Sequence, residues 1–272
     1  MKFSSHEERS RFRQKLERKE LVVGTWINAI KDPMIVRILA DTGLDYIMID
    51  MEHSGATLAT VSEMCVLARE CGLYPLVRPD EPNDLKMNGR LLDAGALGLV
   101  IPHIDSVEQA QKIARSMRFF EGGTRGYCSR IAGSGFGKMD EAALRFSDSE
   151  VTCVVQFESE EAIAQADGIL SVPGVDVAIV GRGDLAHSMG LSGKTTDPAV
   201  SELVEKVYAA ARGRDKTPGL LVNDVEGAKK WLDRQIRFLT FGSEVGWLLS
   251  AYQKGLQEIR EYHEKKEGGI RA

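Results

Sequence analysis

Short apolar runs alternate with longer segments of helical spacing along most of the chain. Each run is largely continuous, which is typical of strands in a parallel sheet that are buried on both faces. The eight runs are VVGTW (22–26), YIMID (46–50), YPLVR (74–78), LGLVIP (97–102), TCVVQFE (152–158), VDVAIVG (175–181), PGLLV (218–222) and RFLTFG (237–242). Apolar residues recur at helical spacing between them, clearly so in 32–42, 61–71 and 106–117.

The order of these segments predicts an α/β fold. Glycine ends several of the predicted helices just before a strand, as in TGLDYIMID, CGLYPLVR and AGALGLVIP, because glycine readily adopts the left-handed conformation at a helix end. Eight strands, each followed by a helix or loop, favour a (β/α)8 TIM barrel. A doubly wound open sheet is the main alternative. Polar residues follow many strands rather than one switch point, which favours the barrel.

The chain of 272 residues is expected to form one domain over 1–272, because no linker rich in proline, glycine or serine divides it. We expect a helix over about 5–20 and a charged tail over about 264–272. The segment 122–138 has the composition of a loop and is long enough to be a functional one.

Composition narrows the class of partner and the compartment. The chain has 35 Lys and Arg against 40 Asp and Glu, a net charge of −5, which argues against nucleic acid as the main partner. Its four cysteines form no C-x-x-C pair, which fits a reducing compartment. Apolar stretches long enough to span a bilayer and an apolar signal-peptide core are both missing. We therefore expect a cytoplasmic enzyme that acts on a small molecule.

Polar side chains come at or just after the ends of several predicted strands. In a (β/α)8 barrel the carboxyl ends of all strands meet at the face that carries the active site. Buried charges there need partners or a metal ion. The residues at these ends are Asp50, Glu52, His53, Arg78, Gln156, Glu158, Arg182, Gly183 and Asp184.

Glu158 and Asp184 are the best candidates for metal ligands. Two carboxylates without an accompanying cysteine or histidine suit a hard octahedral cation such as Mg²⁺ or Mn²⁺, with water and an oxygen-rich substrate in the remaining positions. The alternative is that both carboxylates only cap helices or form surface ion pairs.

His53 is a candidate general base, because Asp50 comes shortly before it and a carboxylate can fix the tautomer and orientation of an imidazole. His103, after the fourth predicted strand, is a weaker candidate. Arg78 could stabilise an oxyanion or enolate. The alternatives are a hydrogen-bonded core or loop histidine, and an ion pair between Arg78 and a neighbouring carboxylate.

Over roughly residues 20 to 250, the chain resembles the HpcH/HpaI family of metal-dependent (class II) pyruvate aldolases. The resemblance depends on the order and spacing of several short segments. These are GTW (24–26), IDMEHS (49–54), LVRP (76–79), LLDAG (91–95), VIP (100–102), TRG (124–126), VVQFES (154–159), GVDVAIVGRGDLAHSMG (174–190) and PGLLV (218–222).

The resemblance implies a (β/α)8 barrel, a homohexamer with C-terminal helices exchanged between neighbours, and a divalent cation (Mg²⁺, Mn²⁺ or Co²⁺). The roles it implies for individual residues follow the family motifs. They are Glu158 and Asp184 as metal ligands, Gln156 as support for a metal-bound water, Arg78 on the ketone or enolate oxygen, His53 with Asp50 as the base and its partner, Asp93 as an acid reaching a neighbouring subunit's site, and the amides near Gly183 and Asp184 as the receptor of the pyruvate carboxylate.

The sequence departs from the family pattern where the acceptor would bind. Met51 stands where many members have glycine before Glu-His, and Gly181-Arg182-Gly183-Asp184 replaces Gly-Pro-Ala-Asp. The loop 122–138 also differs from the common aldolase versions. Arg182 could pair with a second carboxylate of the substrate or point outward.

The resemblance implies cleavage of a 2-keto-3-deoxy or 4-hydroxy-2-oxo acid to pyruvate and an aldehyde through a metal-stabilised enolate. One alternative is an enzyme that decarboxylates or condenses oxaloacetate, as macrophomate synthase and a siderophore citrate synthase of this family do. A second alternative is a non-catalytic barrel that binds a metabolite.

Overall fold

A computed structural model describes residues 10–270, with side chains described as far as residue 266. Eight parallel strands form a closed barrel in which each strand pairs with the next and the last pairs with the first. The strands are β1 (Val22–Ile27), β2 (Tyr46–Asp50), β3 (Tyr74–Arg78), β4 (Gly98–Ile101), β5 (Thr152–Phe157), β6 (Val177–Val180), β7 (Thr217–Val222) and β8 (Phe238–Ser243).

Helices alternate with the strands around the barrel. They are α1 (Arg11–Glu17), α2 (Met34–Ala40), α3 (Leu58–Glu70), α4 (Leu85–Asp93), α5 (Val107–Ser116), α6 (Glu141–Glu150), α7 (Glu160–Ala164), α8 (Ala166–Leu170), α9 (Arg182–Ser188), α10 (Pro198–Gly213), α11 (Val225–Asp233) and α12 (Glu244–Ile270), with a short 3-10 helix at Ala132–Ser134. No helix within residues 10–270 is long and apolar enough to cross a bilayer.

The structure confirms the (β/α)8 barrel and all eight predicted strands, with small differences at their ends. The predicted N-terminal helix is shorter, Arg11–Glu17, and the part of the prediction before residue 10 lies outside the described residues. The segment predicted as a tail continues α12 as far as Ile270. Side chains of serine, threonine or aspartate accept hydrogen bonds from the first-turn amides of many helices, as polar N-caps do. Examples are Ser10, Thr57, Asp84, Ser106, Asp140, Ser159, Asp197 and Asp224.

Both faces of the barrel are packed, which explains why the strands are continuously apolar. One face of each strand packs against the helices and the other fills the barrel interior. Inside, the rings of Tyr46 and Phe238 stack with their centroids 4.8 Å apart. A side chain at Gly24 would collide with the Tyr46 ring, since a Cβ atom there would lie 2.4 Å from it. Glycine on β1 therefore makes room for a large ring on β2.

The first helix closes the amino-terminal end of the barrel. Phe12 of α1 is buried and stacks on Tyr74 with ring centroids 3.9 Å apart, and it meets the edge of Tyr46. Beside it, the guanidinium of Arg13 donates to Thr152 Oγ1 (3.0 Å) and pairs with Asp176 (3.2 Å). The opposite end, where the strands finish, is called the mouth below.

We predict that Phe12→Ala lowers the free energy of unfolding by about 3–5 kcal/mol, because it removes a buried aromatic ring from the barrel end. Chemical denaturation monitored by circular dichroism measures the change. Phe136, 58% exposed, provides the control, since its replacement by alanine should change stability by less than about 0.5 kcal/mol. Equal stabilities of the two variants would contradict this account of α1.

Candidate active site

Side chains facing the barrel interior alternate with those facing the helices, so every second residue of a strand points inward. On β1 and β2 the last inward positions are Trp26 and Asp50, on β3 Arg78, and on β5 Gln156. Glu158 follows Gln156 with the same alternation. The strand ends therefore bring to the mouth several residues that the sequence predicted for the site.

A buried ion pair joins β2 to β3. Asp50 is 0% exposed, and Arg78 donates to its two oxygens from Nε and Nη2, both at 2.8 Å. The guanidinium also lies over the ring of Trp26, 4.4 Å from its centroid. This bidentate geometry fixes the plane of the guanidinium and satisfies a carboxylate that water does not reach.

Glu52 continues this pair across the mouth. Its Oε2 lies 2.8 Å from Nη1 of Arg78, and its Oε1 lies 2.9 Å from Nε2 of His103. Glu52 follows β2, Arg78 ends β3 and His103 follows β4, so Glu52 connects the ends of three successive strands.

The carboxylate of Glu158 is held on both oxygens. Gln156 Nε2 donates to Oε1 at 2.5 Å, and the backbone N–H of His103 donates to Oε2 at 2.9 Å. Gly181 at the end of β6 lies against this carboxylate, because a Cβ atom there would stand 2.8 Å from Glu158 Oε1. Gln156 Oε1 is buried without a hydrogen-bond partner.

Burial raises the pKa of Glu158 to about 7. The hydrogen bond from the His103 backbone and the charge of its ring act in the opposite direction, whereas the charges of Asp184 and Glu52 raise the pKa further. Glu158 is thus a carboxylate in a poorly hydrated place near other carboxylates, and a bound cation would stabilise its ionised form.

Asp184 lies exposed in the first turn of α9, close enough for its charge to act on Glu158. The neighbouring Gly183 has open space beside it. Among the side chains described, those of residues 10–266, no three of His, Cys, Asp or Glu are placed to hold a metal ion together. Two carboxylates that leave most coordination positions to water and substrate are a common way of binding Mg²⁺.

His53 and Asp50 do not form the predicted pair. Asp50 points inward to Arg78, whereas the His53 side chain is 65% exposed and its Nε2 lies 3.7 Å from Glu52 Oε2. Among the described contacts, none joins His53 to Asp50. The reason is the register of the chain, since His53 comes three positions after Asp50, an odd step in the alternation, and the strand ends at Asp50. The carboxylate nearest to His53 is therefore Glu52.

Arg182 points toward neighbouring elements. Its Nη2 donates to the carbonyl oxygen of Leu221 at the end of β7 (3.2 Å), and its guanidinium lies 5.9 Å from the ring centroid of Trp231 on α11. Desolvation lowers its pKa. These contacts favour a structural role, and a contact with a second substrate carboxylate stays a prediction.

Asp93 lies far from the mouth of its own chain. It is the last residue of α4, at the end of the barrel where β4 begins, and it pairs with Arg125 at 2.8 Å. The segment 122–138, predicted to be a functional loop, packs at the same end, where Arg69 donates to the carbonyl oxygens of Ala132 and Gly133. A contribution of Asp93 to a neighbouring subunit's site stays a prediction.

Sequence reasoning gave too little weight to Glu52, His103 and Trp26. Glu52 and Trp26 had a usable signal, because each continues the inward alternation of its strand. No such signal marked His103, because the alternation of β4 predicts an outward side chain at this position. A left-handed backbone (φ 51°) turns it back toward the mouth.

The chain is similar to several known proteins in sequence and in fold. A family model described as HpcH/HpaI aldolase/citrate lyase matches residues 23–251. A hydroxypyruvate/pyruvate aldolase of Pseudomonas aeruginosa is 30% identical, covering 97% of this chain and 95% of its own. A 5-keto-4-deoxy-D-glucarate aldolase of Shigella boydii is 28% identical over 90% of this chain and 94% of its own. The crystal structure of an HpcH/HpaI aldolase from Desulfitobacterium hafniense superimposes with a TM-score of 0.86 at 33% identity, covering 91% and 96% of the two chains.

We predict that Glu158 makes the metal-free protein less stable as the pH rises. Its folded pKa of about 7 lies above the ordinary glutamate pKa of 4.5, so between these pH values the folded state holds a proton that the unfolded state has released. Over this pH range, the ionisation of Glu158 should lower the free energy of unfolding by at most about 1.4 kcal/mol per pH unit.

Glu158→Gln should remove this contribution, so its melting temperature should fall less between pH 5 and 8 than that of the wild type. Differential scanning fluorimetry in EDTA measures the difference. Glu161→Gln, at an exposed position of α7, serves as the control. Parallel curves for wild type and Glu158→Gln would contradict the prediction.

Proposed function

Because the chain belongs to the HpcH/HpaI aldolase/citrate lyase family and is an enzyme of the aldolase/lyase type, we propose that it is a divalent-metal-dependent aldolase. Its substrate would be a 2-keto-3-deoxy or 4-hydroxy-2-oxo acid, and its products pyruvate and an aldehyde. The observation that carries this proposal is the buried Asp50–Arg78 pair at the mouth, connected through Glu52 and His103 to the carboxylate of Glu158.

Glu158 and Asp184 are the residues that would hold the metal ion, Mg²⁺, Mn²⁺ or Co²⁺. Their oxygen donors suit a hard cation, and the desolvated Glu158 carboxylate gains from a positive charge beside it. When bound, the ion supplies a Lewis acid that polarises the 2-oxo acid and favours its enolate. Gln156 holds one oxygen of Glu158 and so limits its rotation. The open space at Gly183 supports the proposal that amides of this turn receive the substrate carboxylate.

Arg78 is suited to stabilise negative charge on the substrate oxygen. A guanidinium has five N–H donors; two of those of Arg78 donate to Asp50, and its Nη1 forms an ion pair with Glu52. The N–H groups that Asp50 does not accept are the proposed donors to a substrate oxygen at the mouth. Because Asp50 and Trp26 fix the guanidinium before the substrate arrives, little reorganisation is needed when charge develops.

His53 is the proposed acceptor of the proton from the C4 hydroxyl during carbon–carbon cleavage. Its exposed ring can reach a substrate or a bridging water. Glu52, rather than Asp50, is the carboxylate placed to influence its orientation.

The proposed assembly is a homohexamer in which C-terminal helices pack on neighbouring subunits. The described part of α12 exposes several large apolar side chains, which a second subunit would remove from water. They are Trp247, Leu248, Leu249, Tyr252, Leu256, Ile259 and Tyr262.

The activity should depend on a divalent cation and release pyruvate from a 4-hydroxy-2-oxo acid. A screen of such acids with Mg²⁺, Mn²⁺ and Co²⁺, with pyruvate measured by a coupled assay, tests the proposal. EDTA should abolish cleavage and added metal should restore it, because few protein ligands hold the ion. Oxaloacetate is assayed in parallel. Full activity in a demonstrably metal-free sample would refute the metal-dependent mechanism, and turnover of oxaloacetate alone would refute the aldolase.

Arg78 and His53 should differ in which reactions need them. Arg78→Ala and Arg78→Lys should reduce both pyruvate C3 proton exchange and aldol cleavage, by about 100-fold or more, since both reactions form an enolate. His53→Ala should reduce cleavage by about 100-fold or more but affect oxaloacetate decarboxylation much less, because that reaction has no hydroxyl proton to remove. NMR measures the exchange of the pyruvate C3 protons, and product assays measure cleavage and decarboxylation. Equal losses of all three activities in the Arg78 and His53 variants would refute this division of roles.

A further inference from the structure

The backbone at His103 is held in an uncommon conformation that brings its ring over the mouth. Its φ of 51° is left-handed, which non-glycine residues adopt infrequently. The side chain of Gln109 on α5 fixes the turn, since its Nε2 donates to the His103 carbonyl oxygen and its Oε1 accepts from the N–H of Asp105. The orientation of His103 is thus set by the turn after β4.

The ring of His103 lies between two carboxylates from opposite parts of the site. Its Nε2 is 2.9 Å from Glu52 Oε1, and its Nδ1 is 3.2 Å from Glu158 Oε2. The side chain is 57% exposed, so burial in the core does not explain its placement. The polar contacts of the ring among the described residues are with these two carboxylates.

Each of these carboxylates belongs to a different half of the site. Glu52 is paired with Arg78, which the proposed function places on the substrate oxygen. Glu158 is held by Gln156 and is a proposed metal ligand. The described contacts connect the two halves through His103.

We propose that His103 is a positioning residue that holds Glu52 and Glu158 in one arrangement, and thereby sets the Arg78 half of the site relative to the metal-binding half. This inference rests on the proposed metal-dependent function. The imidazole acts through the two carboxylates, in the way that outer hydrogen-bond partners orient metal ligands in proteins.

The test uses two variants with different effects on the backbone. His103→Gly removes the ring and accepts the left-handed conformation, but it also loosens the turn. His103→Asn removes the ring and still tolerates this conformation. Both keep the backbone N–H that donates to Glu158. His263→Ala, at an exposed position of α12, is the control histidine.

Isothermal titration of the full-length protein with Mn²⁺ alone gives a readout independent of turnover. We expect both His103 variants to bind Mn²⁺ about 10- to 100-fold more weakly than the wild type. Their melting temperatures should stay within about 2 °C of the wild-type value. Unchanged affinity in His103→Asn would overturn the inference, even if His103→Gly binds weakly, because the turn alone would then explain the loss.

A double-mutant cycle with Glu52→Gln examines the connection itself. If His103 acts through Glu52, the double variant should lose about as much kcat/KM for cleavage as the more damaged single variant. Losses that multiply would show independent roles and overturn the inference. A wild-type protein that binds no Mn²⁺ and cleaves no 4-hydroxy-2-oxo acid would refute the proposed function as well, whereas unchanged binding in the variants refutes the role of His103 alone.

Discussion

The buried carboxylate of Asp50 is the constraint on which the arrangement of the mouth depends. A fully buried charge is costly unless a partner of opposite charge holds it with good hydrogen-bond geometry, and Arg78 on the adjacent strand supplies two such bonds. Because Asp50 and Arg78 are partners in the register of β2 and β3, the barrel itself fixes their separation. The guanidinium then has a set position from which Nη1 pairs with Glu52. The packing of the barrel therefore determines where the substrate would meet positive charge.

Residues inside regular strands were predictable because a single rule governs them. Continuous apolar runs indicated strands buried on both faces, and the ends of β2 and β3 agree with the predicted boundaries at Asp50 and Arg78. The expectation that polar residues at strand ends converge follows from parallel pairing alone. Gln156 and Glu158 come together for the same reason, since inward positions recur at every second residue of a strand. These features need only local pattern and strand direction.

The two histidines that follow strand ends, His53 and His103, could not be placed in this way. His53 stands one residue after Glu52, yet its ring is exposed, whereas His103 reaches Glu158 through a left-handed turn that Gln109 stabilises. The conformation of such a turn depends on side-chain contacts with later elements, and neither apolar spacing nor composition encodes it. The structure does not bring Asp50 and His53 into contact, because nearness in sequence does not imply contact once the regular alternation of the strand has ended.

The charges at the mouth also connect the fold to the chemistry proposed for it. Four carboxylates lie in this part of the barrel, those of Asp50, Glu52, Glu158 and Asp184. The Arg78 guanidinium carries a single positive charge, which is shared between Asp50 and Glu52. Glu158 accepts hydrogen bonds from Gln156 and the His103 backbone and lies beside the His103 ring, but burial disfavours its ionised form. A divalent cation beside Glu158 and Asp184 would relieve this imbalance without requiring a third protein ligand. The low hydration that raises the pKa of Glu158 would also strengthen its attraction to a metal ion. Charges interact more strongly where little water is present to screen them.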